Sequence, residues 1–470
     1  MLNMIYKNAL FIISLIFIMF GIFFAVLAYF DMKSQKALKK LAYEDSLTGL
    51  STLTKFKLDA KNLLKNAKSG EYTLSTIDVD NFKFINDSFG YSVGDEALVS
   101  IAKHFKAGTY TGELLARTSA DNFAFLGKTT SYGILIKRFN ELAQMGGHIY
   151  PILPEHYSVS FSCGSYVITD PKIDLSLMLD RANMARKSIK GGHGSLMTEY
   201  TEEMNEQMQW KREVTLSMEL ALKKEEFVVF LQPKYSFKDG KIVGAEALIR
   251  WNHPQKGLIP PIMFVPIFEK NGFIKKIDLY VFEQTCQMFA RWRNAGFGDI
   301  PITVSVNLSR LHIHNANLAE QLLEITQKYE IDPSLIELEL TESMVFYNTV
   351  ELIDTMHKLK SVGFKISVDD FGSGYSSLNL LKDLPADILK LDKAFLDGLE
   401  SSDSNNAGQM IIKKIIEMAQ CLNLITVAEG VETAEQVKML TQMGCNIAQG
   451  YYYAKPMPMK EFENLLLPRK

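Results

Sequence analysis

The second half of the chain repeats one pattern: a short apolar, β-rich run that stops at a polar residue, then a helix-length segment. Ile-Thr-Val-Ser-Val ends at Asn307, Leu-Ile-Glu-Leu-Glu-Leu contains Glu339, and Phe-Lys-Ile-Ser-Val leads into Asp369 and Asp370. Lys390 follows Asp-Ile-Leu, Glu429 follows Leu-Ile-Thr-Val-Ala, and Gln449 follows Cys-Asn-Ile-Ala. Strand-like runs alternating with helical ones predict repeated β-α units. A barrel closed from such units gathers the strand ends at one mouth. Four or more carboxylates then meet there, and they cannot all stay ionised side by side without cations. The pattern predicts a divalent-metal enzyme built on a TIM-like α/β barrel.

A chain of 470 residues is too long for one ordinary domain. An apolar share of 47% with 22% charged residues marks it as globular rather than disordered. The net charge of -3 leaves no basic footprint for a nucleic-acid polymer. Cys163, Cys286, Cys421 and Cys445 are far apart and form no C-x-x-C pair. Buried, reduced thiols in a cytosolic compartment are expected for them.

The N-terminus is of another kind. Residues 9–30 are uncharged and rich in Phe, Ile and Leu, long enough to cross a bilayer as a helix. The run exceeds the apolar core of a usual signal peptide and lacks a good small-residue cleavage site. Lys33, Lys36, Lys39 and Lys40 follow it, against only Lys7 and the amino terminus before it. That asymmetry places everything after residue 31 in the cytoplasm. A retained single-span anchor in a bacterial inner membrane is expected, with no folded sensor outside.

The expected organisation is an anchor over residues 1–30, a juxtamembrane linker over 31–44, and a first globular region over 45–198. A connecting helix over 199–224 and a barrel over 225–470 follow. Within the first region, strand-like runs at 72–79, 115–126 and 157–168 mix with helical stretches at 94–105 and 175–189. That mixture suggests an α+β sandwich on an antiparallel sheet. Residues 197–224 contain no Gly or Pro and read as one continuous helix.

Several ordered motifs over residues 212–467 carry a resemblance. They are Glu246-Ala-Leu-Ile-Arg250-Trp251, Val-Asn307-Leu-Ser, Glu339-Leu-Thr-Glu342-Ser and Asp369-Asp370-Phe-Gly-Ser-Gly-Tyr-Ser-Ser377. Leu389-Lys390-Leu-Asp392, Ala-Glu429-Gly-Val-Glu432 and Gln449-Gly-Tyr complete the set. Together they resemble the EAL family, bacterial phosphodiesterases that linearise cyclic di-GMP. The resemblance implies that Glu246, Asn307, Glu339 and Asp369 ligate one Mg²⁺ or Mn²⁺. Asp369, Asp370 and Glu429 would hold a second ion, with Asp369 bridging. Hard oxygen ligands suit both metals.

In that resemblance Lys390 contacts the attacking water, and Glu342 and Glu432 are positioning residues. Glu342 anchors the loop that runs from Asp370 to Ser377, which the family implicates in coupling dimerisation to metal binding. Arg250 is a phosphate contact, Gln232 a guanine or backbone contact, and Gln449 completes hydrogen bonding near the metal waters. Assembly as a homodimer through the barrel is implied as well. His312 and His314 stand two apart, share no helical face and have no further His or Cys nearby. They are expected as exposed residues of a loop or helix start. The run Tyr451-Tyr452-Tyr453 is expected to pack.

Residues 43–198 carry a second resemblance. Asp45-Ser-Leu-Thr-Gly-Leu50, then Asp78-Val-Asp80-Asn-Phe82-Lys83-Phe-Ile-Asn86-Asp87 and Gly94-Asp95 are similar to a GGDEF domain, the diguanylate cyclase fold. Arg181-Ala182-Asn-Met-Ala185 and Ile189-Lys190-Gly-Gly continue it. The defining hairpin departs. Where the family has Gly-Gly-Asp/Glu-Glu-Phe, this chain reads Ser119-Ala120-Asp121-Asn122-Phe123. Two Cβ atoms are added where glycine allows positive φ and close nucleotide approach, and Asn122 removes a carboxylate. The resemblance assigns Asp78 and Asp121 to a metal, Asn86 and Asp95 to guanine, and Lys190 to phosphate. A cyclase-inactive domain is expected, either sensing GTP as an allosteric ligand or serving as spacer and dimerisation element.

Overall fold

The computed structural model describes residues 2–129, 159–189, 196–295, 302–342, 349–372, 382–396 and 405–466, together with residues 137 and 344. The chain divides into two compact units, Met1–Trp210 and Lys211–Lys470, and the division falls inside one helix, Glu202–Lys223.

The first unit opens with the helix Leu2–Tyr43, of 42 residues, about 63 Å long at the usual rise. Residues 31–43 continue this helix, so the charged segment after the apolar run is not a separate linker. The segment contains no Gly or Pro but four Lys, two Ala, two Leu and one Gln, so nothing in it stops a helix already begun. Phe17, Phe20, Phe23 and Phe24 are all more than half exposed.

Six strands follow among the described residues: β1 (Ser51–Thr52), β2 (Tyr72–Val79), β3 (Leu114–Ser119), β4 (Asn122–Lys128), β5 (Phe161–Val167) and β6 (Leu196–Glu199). They lie in the order β1-β3-β4-β2-β5-β6. The four central strands are antiparallel, while β1 and β6 add parallel edges. One face packs Ile77, Val79, Phe123 and Phe161 against the helix Tyr91–Ala107. The other packs Leu74, Leu126 and Tyr166 against the helices Leu53–Leu64 and Leu175–Ser188. This is the expected α+β sandwich with two corrections. Residues 115–126 are a hairpin of two strands, turning at Ala120 and Asp121. Leu196–Glu199 is an edge strand and not the start of the long helix, because it pairs with β5.

The second unit is a barrel. Its strands are β7 (Phe227–Ser236), β8 (Ile242–His253), β9 (Gly257–Ile259), β10 (Thr303–Asn307), β11 (Ile336–Thr341), β12 (Lys365–Phe371), β13 (Ile388–Leu391), β14 (Ile425–Ala428), β15 (Ile447–Ala448) and β16 (Met457–Pro458). The order is β7-β15-β14-β13-β12-β11-β10-β8, and β8 pairs back to β7 to close it, with β9 and β16 as additions at β8 and β7. Pairing is parallel from β8 round to β15, whereas β7 is antiparallel to both neighbours. A uniform series of β-α units would make every pair parallel. Here β7 and β8 are joined by a short turn with Gly240 at φ 68, and a connection that short permits only an antiparallel pair.

Outward residues Val304, Val306, Leu338, Leu340, Ile366, Val368 and Leu389 are at most 4% exposed. Each is worth about 1.5–3 kcal/mol when buried, and together they fix which face of each strand turns inward. Of the cysteines, Cys163, Cys286 and Cys445 are buried as expected, but Cys421 is exposed at the last residue of the helix Asn405–Cys421.

Candidate active site

With alternate residues committed to the helices outside, the barrel interior receives an unusual load of polar side chains. Register places Asn307 opposite Glu339, and Ser305 opposite Glu246. Thr341 pairs with Asp369, Leu391 with Ala428 just before Glu429, and Gln232 with Glu246. The expected strand-end residues therefore converge on one end of the barrel.

Asp369 and Asp370 are adjacent, and on a regular strand they would face opposite sides. The β12–β13 register shifts between Val368 and Phe371, and Asp370 stands at φ 56. A left-handed residue inside a bulge re-aims its side chain at a local strain cost. As a result, carboxylate oxygens of Asp369, Asp370 and Glu429 lie within 4.8 Å of one another. Gly372 at φ 94 leads out of the bulge, and a Cβ there would stand 1.9 Å from the Phe395 ring. Its N–H donates to Glu342 Oε2 at 2.7 Å, so Glu342 holds the start of the loop. Residues 373–377 of that loop lie outside the described residues.

Lys390 is fully buried at the centre. Its Nζ is 2.6 Å from Glu429, 2.9 Å from Glu339, 3.0 Å from Asp369 and 3.8 Å from Glu246. Burial pulls its pKa down, yet the carboxylates of Glu246, Glu339, Glu429 and Asp369 together hold it well above the ordinary value. The ammonium cannot satisfy them all. Burial and the neighbouring Glu339 push Glu246 up to about 7. Burial also raises Glu429 to about 8, against the pull of Lys390. Asp370 rises to about 6 through burial and the charges of Asp369 and Asp392. Glu339 alone moves the other way, to about 2, because Lys390 and Lys234 outweigh its burial.

Glu246 is otherwise held by amides: Asn307 Nδ2 donates to its Oε1 at 3.0 Å and Gln449 Nε2 to its Oε2 at 2.5 Å. Gln449 Nε2 also donates to Gln232 Oε1, and Gln232 Nε2 to the Ala454 carbonyl. Gln232 thus belongs to the support of Glu246 as placed here. Arg250, on the inward face of β8 with Glu246, lies over the Phe230 ring and donates to the Ile249 carbonyl. Glu432 is half-exposed and paired with Lys393 at 2.6 Å. Beside Asn307 opens an apolar cleft of about 500 Å³, lined by Leu248, Ile249, Pro266, Leu308 and Arg310 among others.

The donor set suits hard divalent cations, since it is all carboxylate and amide oxygen. Oε2 of Glu339, Oε1 of Glu342 and Oε1 of Gln449 are buried without a hydrogen-bond partner in the protein. Buried acceptors of this kind need a cation or ordered water. The residues present fit one or more bound divalent ions.

Sequence reasoning missed a lower layer. Lys234 Nζ, 2% exposed with its residue, lies 2.8 Å from Ser305 Oγ and 3.2 Å from both Glu337 and Glu339. Two signals were available. Lys234 is two residues from Gln232, and Glu337 two from Glu339, so a period of two puts both inside the barrel. The expectation for His312 also needs correction. It is 2% exposed, with Nε2 3.2 Å from Asp278, whose carboxylate also accepts from the Ser309 N–H. That pair pins the loop after Asn307; only His314 is exposed. Tyr453 stacks on Tyr235 at 4.7 Å, whereas Tyr451 and Tyr452 are exposed.

In the first unit, Asp78 is the penultimate residue of β2, Asp121 is in the β3–β4 turn, Asp95 is exposed and Asn86 packs against Gly94. Lys190 lies outside the described residues.

Residues 215–456 match the family model for the EAL domain, and residues 42–195 that for the diguanylate cyclase GGDEF domain. The chain is 32% identical over 441 residues to the bifunctional diguanylate cyclase/cyclic di-GMP phosphodiesterase MucR of Pseudomonas aeruginosa, covering 93% of this chain and 63% of that protein. It is 30% identical over 434 residues to the cyclic di-GMP phosphodiesterase PdeR of Escherichia coli, covering 92% and 64%. The chain thus spans under two thirds of the length of these curated relatives. Among solved structures, the PaMucR phosphodiesterase in complex with c-di-GMP matches with a TM-score of 0.50 and 37% identity, over 53% of this chain and 99% of that one. The EAL enzyme Bd1971 in its cAMP- and cyclic-di-GMP-bound form matches with a TM-score of 0.53 at 20% identity, over 85% and 96%, which bears on the fold alone. The chain belongs to the EAL family and carries a GGDEF domain ahead of its EAL domain.

Proposed function

We propose that this protein is a membrane-anchored phosphodiesterase that hydrolyses cyclic di-GMP to linear pGpG. The observation that carries the reading is the charge imbalance at the barrel mouth. Glu246, Glu339, Asp369, Asp370 and Glu429 converge there, with Lys390 the ammonium among them. Glu246, Asn307, Glu339 and Asp369 would hold one Mg²⁺ or Mn²⁺, and Asp369, Asp370 and Glu429 a second. Divalent ions supply charge neutralisation and activation of water for an in-line phosphodiester displacement. The oxygen of water bonds to phosphorus, one P–O3′ bond breaks, and the proton passes to the departing 3′-oxygen.

Lys390 would orient that water and oppose the negative charge that builds on phosphorus. Arg250 suits a phosphate, and the apolar cleft beside Asn307 suits a base. Glu342 keeps the Asp370 bulge in shape through Gly372. The apolar helix Leu2–Tyr43 serves as the anchor, a reading that the lysines after the run support together with a cytoplasmic side for both domains. The first domain does not synthesise cyclic di-GMP. Its turn carries Ala120 at φ 41 and Asn122 in place of a carboxylate, which leaves little room and one ligand fewer for a reacting nucleotide.

The test uses the full chain in detergent, cyclic di-GMP and Mg²⁺ or Mn²⁺, with pGpG followed by chromatography. Product that disappears with chelator, and in Glu246→Ala by on the order of a thousandfold, is the expected result. Cyclic di-GMP binding without product would replace the enzyme by a receptor.

A further inference from the structure

The first unit carries an acidic pair where its resemblance implies a nucleotide-bound metal ion, and the residues around that pair do not fit one. Asp78 is 3% exposed near the end of β2. Arg186, on the helix Leu175–Ser188, reaches it from the packed face of the sheet: Nη1 is 2.8 Å from Asp78 Oδ1. The two side chains are 10% and 4% exposed. A carboxylate this buried must be matched locally, and one guanidinium matches it in charge.

The second acidic residue is engaged as well. Asn122 Nδ2 donates to Asp121 Oδ1 at 3.2 Å, so the residue that replaces a family carboxylate acts as a donor to the remaining one. The turn between them is tied down by Arg117, whose Nε donates to the Ala120 carbonyl at 2.7 Å and whose Nη1 donates to Asp45 at 3.0 Å.

We infer that Arg186 takes the place of a divalent cation at Asp78, so the first unit does not bind Mg²⁺–GTP. Admitting Mg²⁺ at about 2.0–2.1 Å from an Asp78 oxygen would set a doubly charged ion against a guanidinium already 2.8 Å away. Arginine cannot yield by losing its proton. It would have to leave, and its neighbours on the helix, Ala182 and Ala185, are wholly buried in the apolar core. The inference is independent of what the barrel does.

Two measurements on the full chain in detergent test it. Equilibrium dialysis with labelled GTP, with and without Mg²⁺, should show no Mg²⁺-dependent retention that Asp78→Asn abolishes; such retention would overturn the inference. Hydrogen exchange across Tyr72–Val79 reads the ion pair itself. Arg186→Met should accelerate exchange there by about a hundredfold or more. Adding Asp78→Asn should restore most of the protection, since no unpaired charge then remains. Unchanged protection in Arg186→Met would show that the guanidinium does not serve as the counter-cation, and would overturn the inference.

Discussion

The two units each bury acidic groups at strand ends, and each supplies an internal cation to them. The difference is in the count. In the first unit, among the described residues, the guanidinium of Arg186 meets the buried carboxylate of Asp78 at 2.8 Å. In the barrel one ammonium, Lys390, lies within 4 Å of four carboxylates, and Lys234 adds a second contact to Glu339 from below, while Asp370 adds a fifth carboxylate alongside Asp369 and Glu429. The first site is buried and matched in charge. The unbalanced one keeps protons on Glu246 and Glu429 near neutrality and leaves acceptors such as Glu339 Oε2 without a partner. An acidic cluster therefore says little about metal binding until the fixed cations around it are counted.

The comparison can be broken first at Lys234. Lys234→Met alone leaves Glu337 buried without its cation and should cost about 3–5 kcal/mol of stability. Pairing it with Glu337→Gln removes that charge, so the double variant should fold. Its apparent affinity for Mg²⁺ or Mn²⁺ should still fall about 10–100-fold, because Glu339 loses the lower of its two ammonium contacts. Calorimetric titration reads this directly. Wild-type affinity in the double variant would mean that Lys234 serves only Glu337.

A pH series sharpens the same contrast. Glu246 and Glu429 titrate near 7 and 8 in the metal-free barrel, against an ordinary value of 4.5. Between about pH 4.5 and 8 the folded chain binds more protons than the unfolded one, so its stability falls as pH rises through that window. The fall should be on the order of a few kcal/mol and should shrink at saturating Mg²⁺. Denaturant melts of the metal-free chain at several pH values check it, and stability that rose with pH would contradict the assignment.

The smallest effect is expected at Lys393. It forms a half-exposed pair with Glu432, and such pairs contribute about 1 kcal/mol or less. Lys393→Ala should therefore leave hydrolysis within about twofold of wild type. A large loss of activity would show that the pair itself positions the loop, and would promote Glu432 from surface contact to support of the site.

Much of the barrel was legible because a period of two and a period near 3.6 alternate cleanly from Glu226 onward. The strand-end residues were legible for the same reason. What escaped was set by closure. The reversed β7 follows from a turn too short for a crossover. The lower polar layer of Lys234, Ser305 and Glu337 has meaning only once β7, β10 and β11 stand side by side. His312 reads as an exposed loop or helix-start residue in sequence because its partner Asp278 lies 34 positions earlier in the chain. In the first unit, β2 was read to the residue because both faces are buried along its length. Arg186 passed unnoticed, since a helix pattern does not say which distant carboxylate an arginine will reach.

The most direct test of the charge account is a titration of the metal-free full chain with Mn²⁺ near pH 7, recording bound metal by electron paramagnetic resonance and released protons by pH-stat. The account predicts two Mn²⁺ per chain with net proton release, both lost when Asp369 and Glu429 are replaced by their amides and both unaffected by Arg186→Met. Mn²⁺ bound without proton release, or binding that survives in the Asp369→Asn, Glu429→Gln variant, would contradict it.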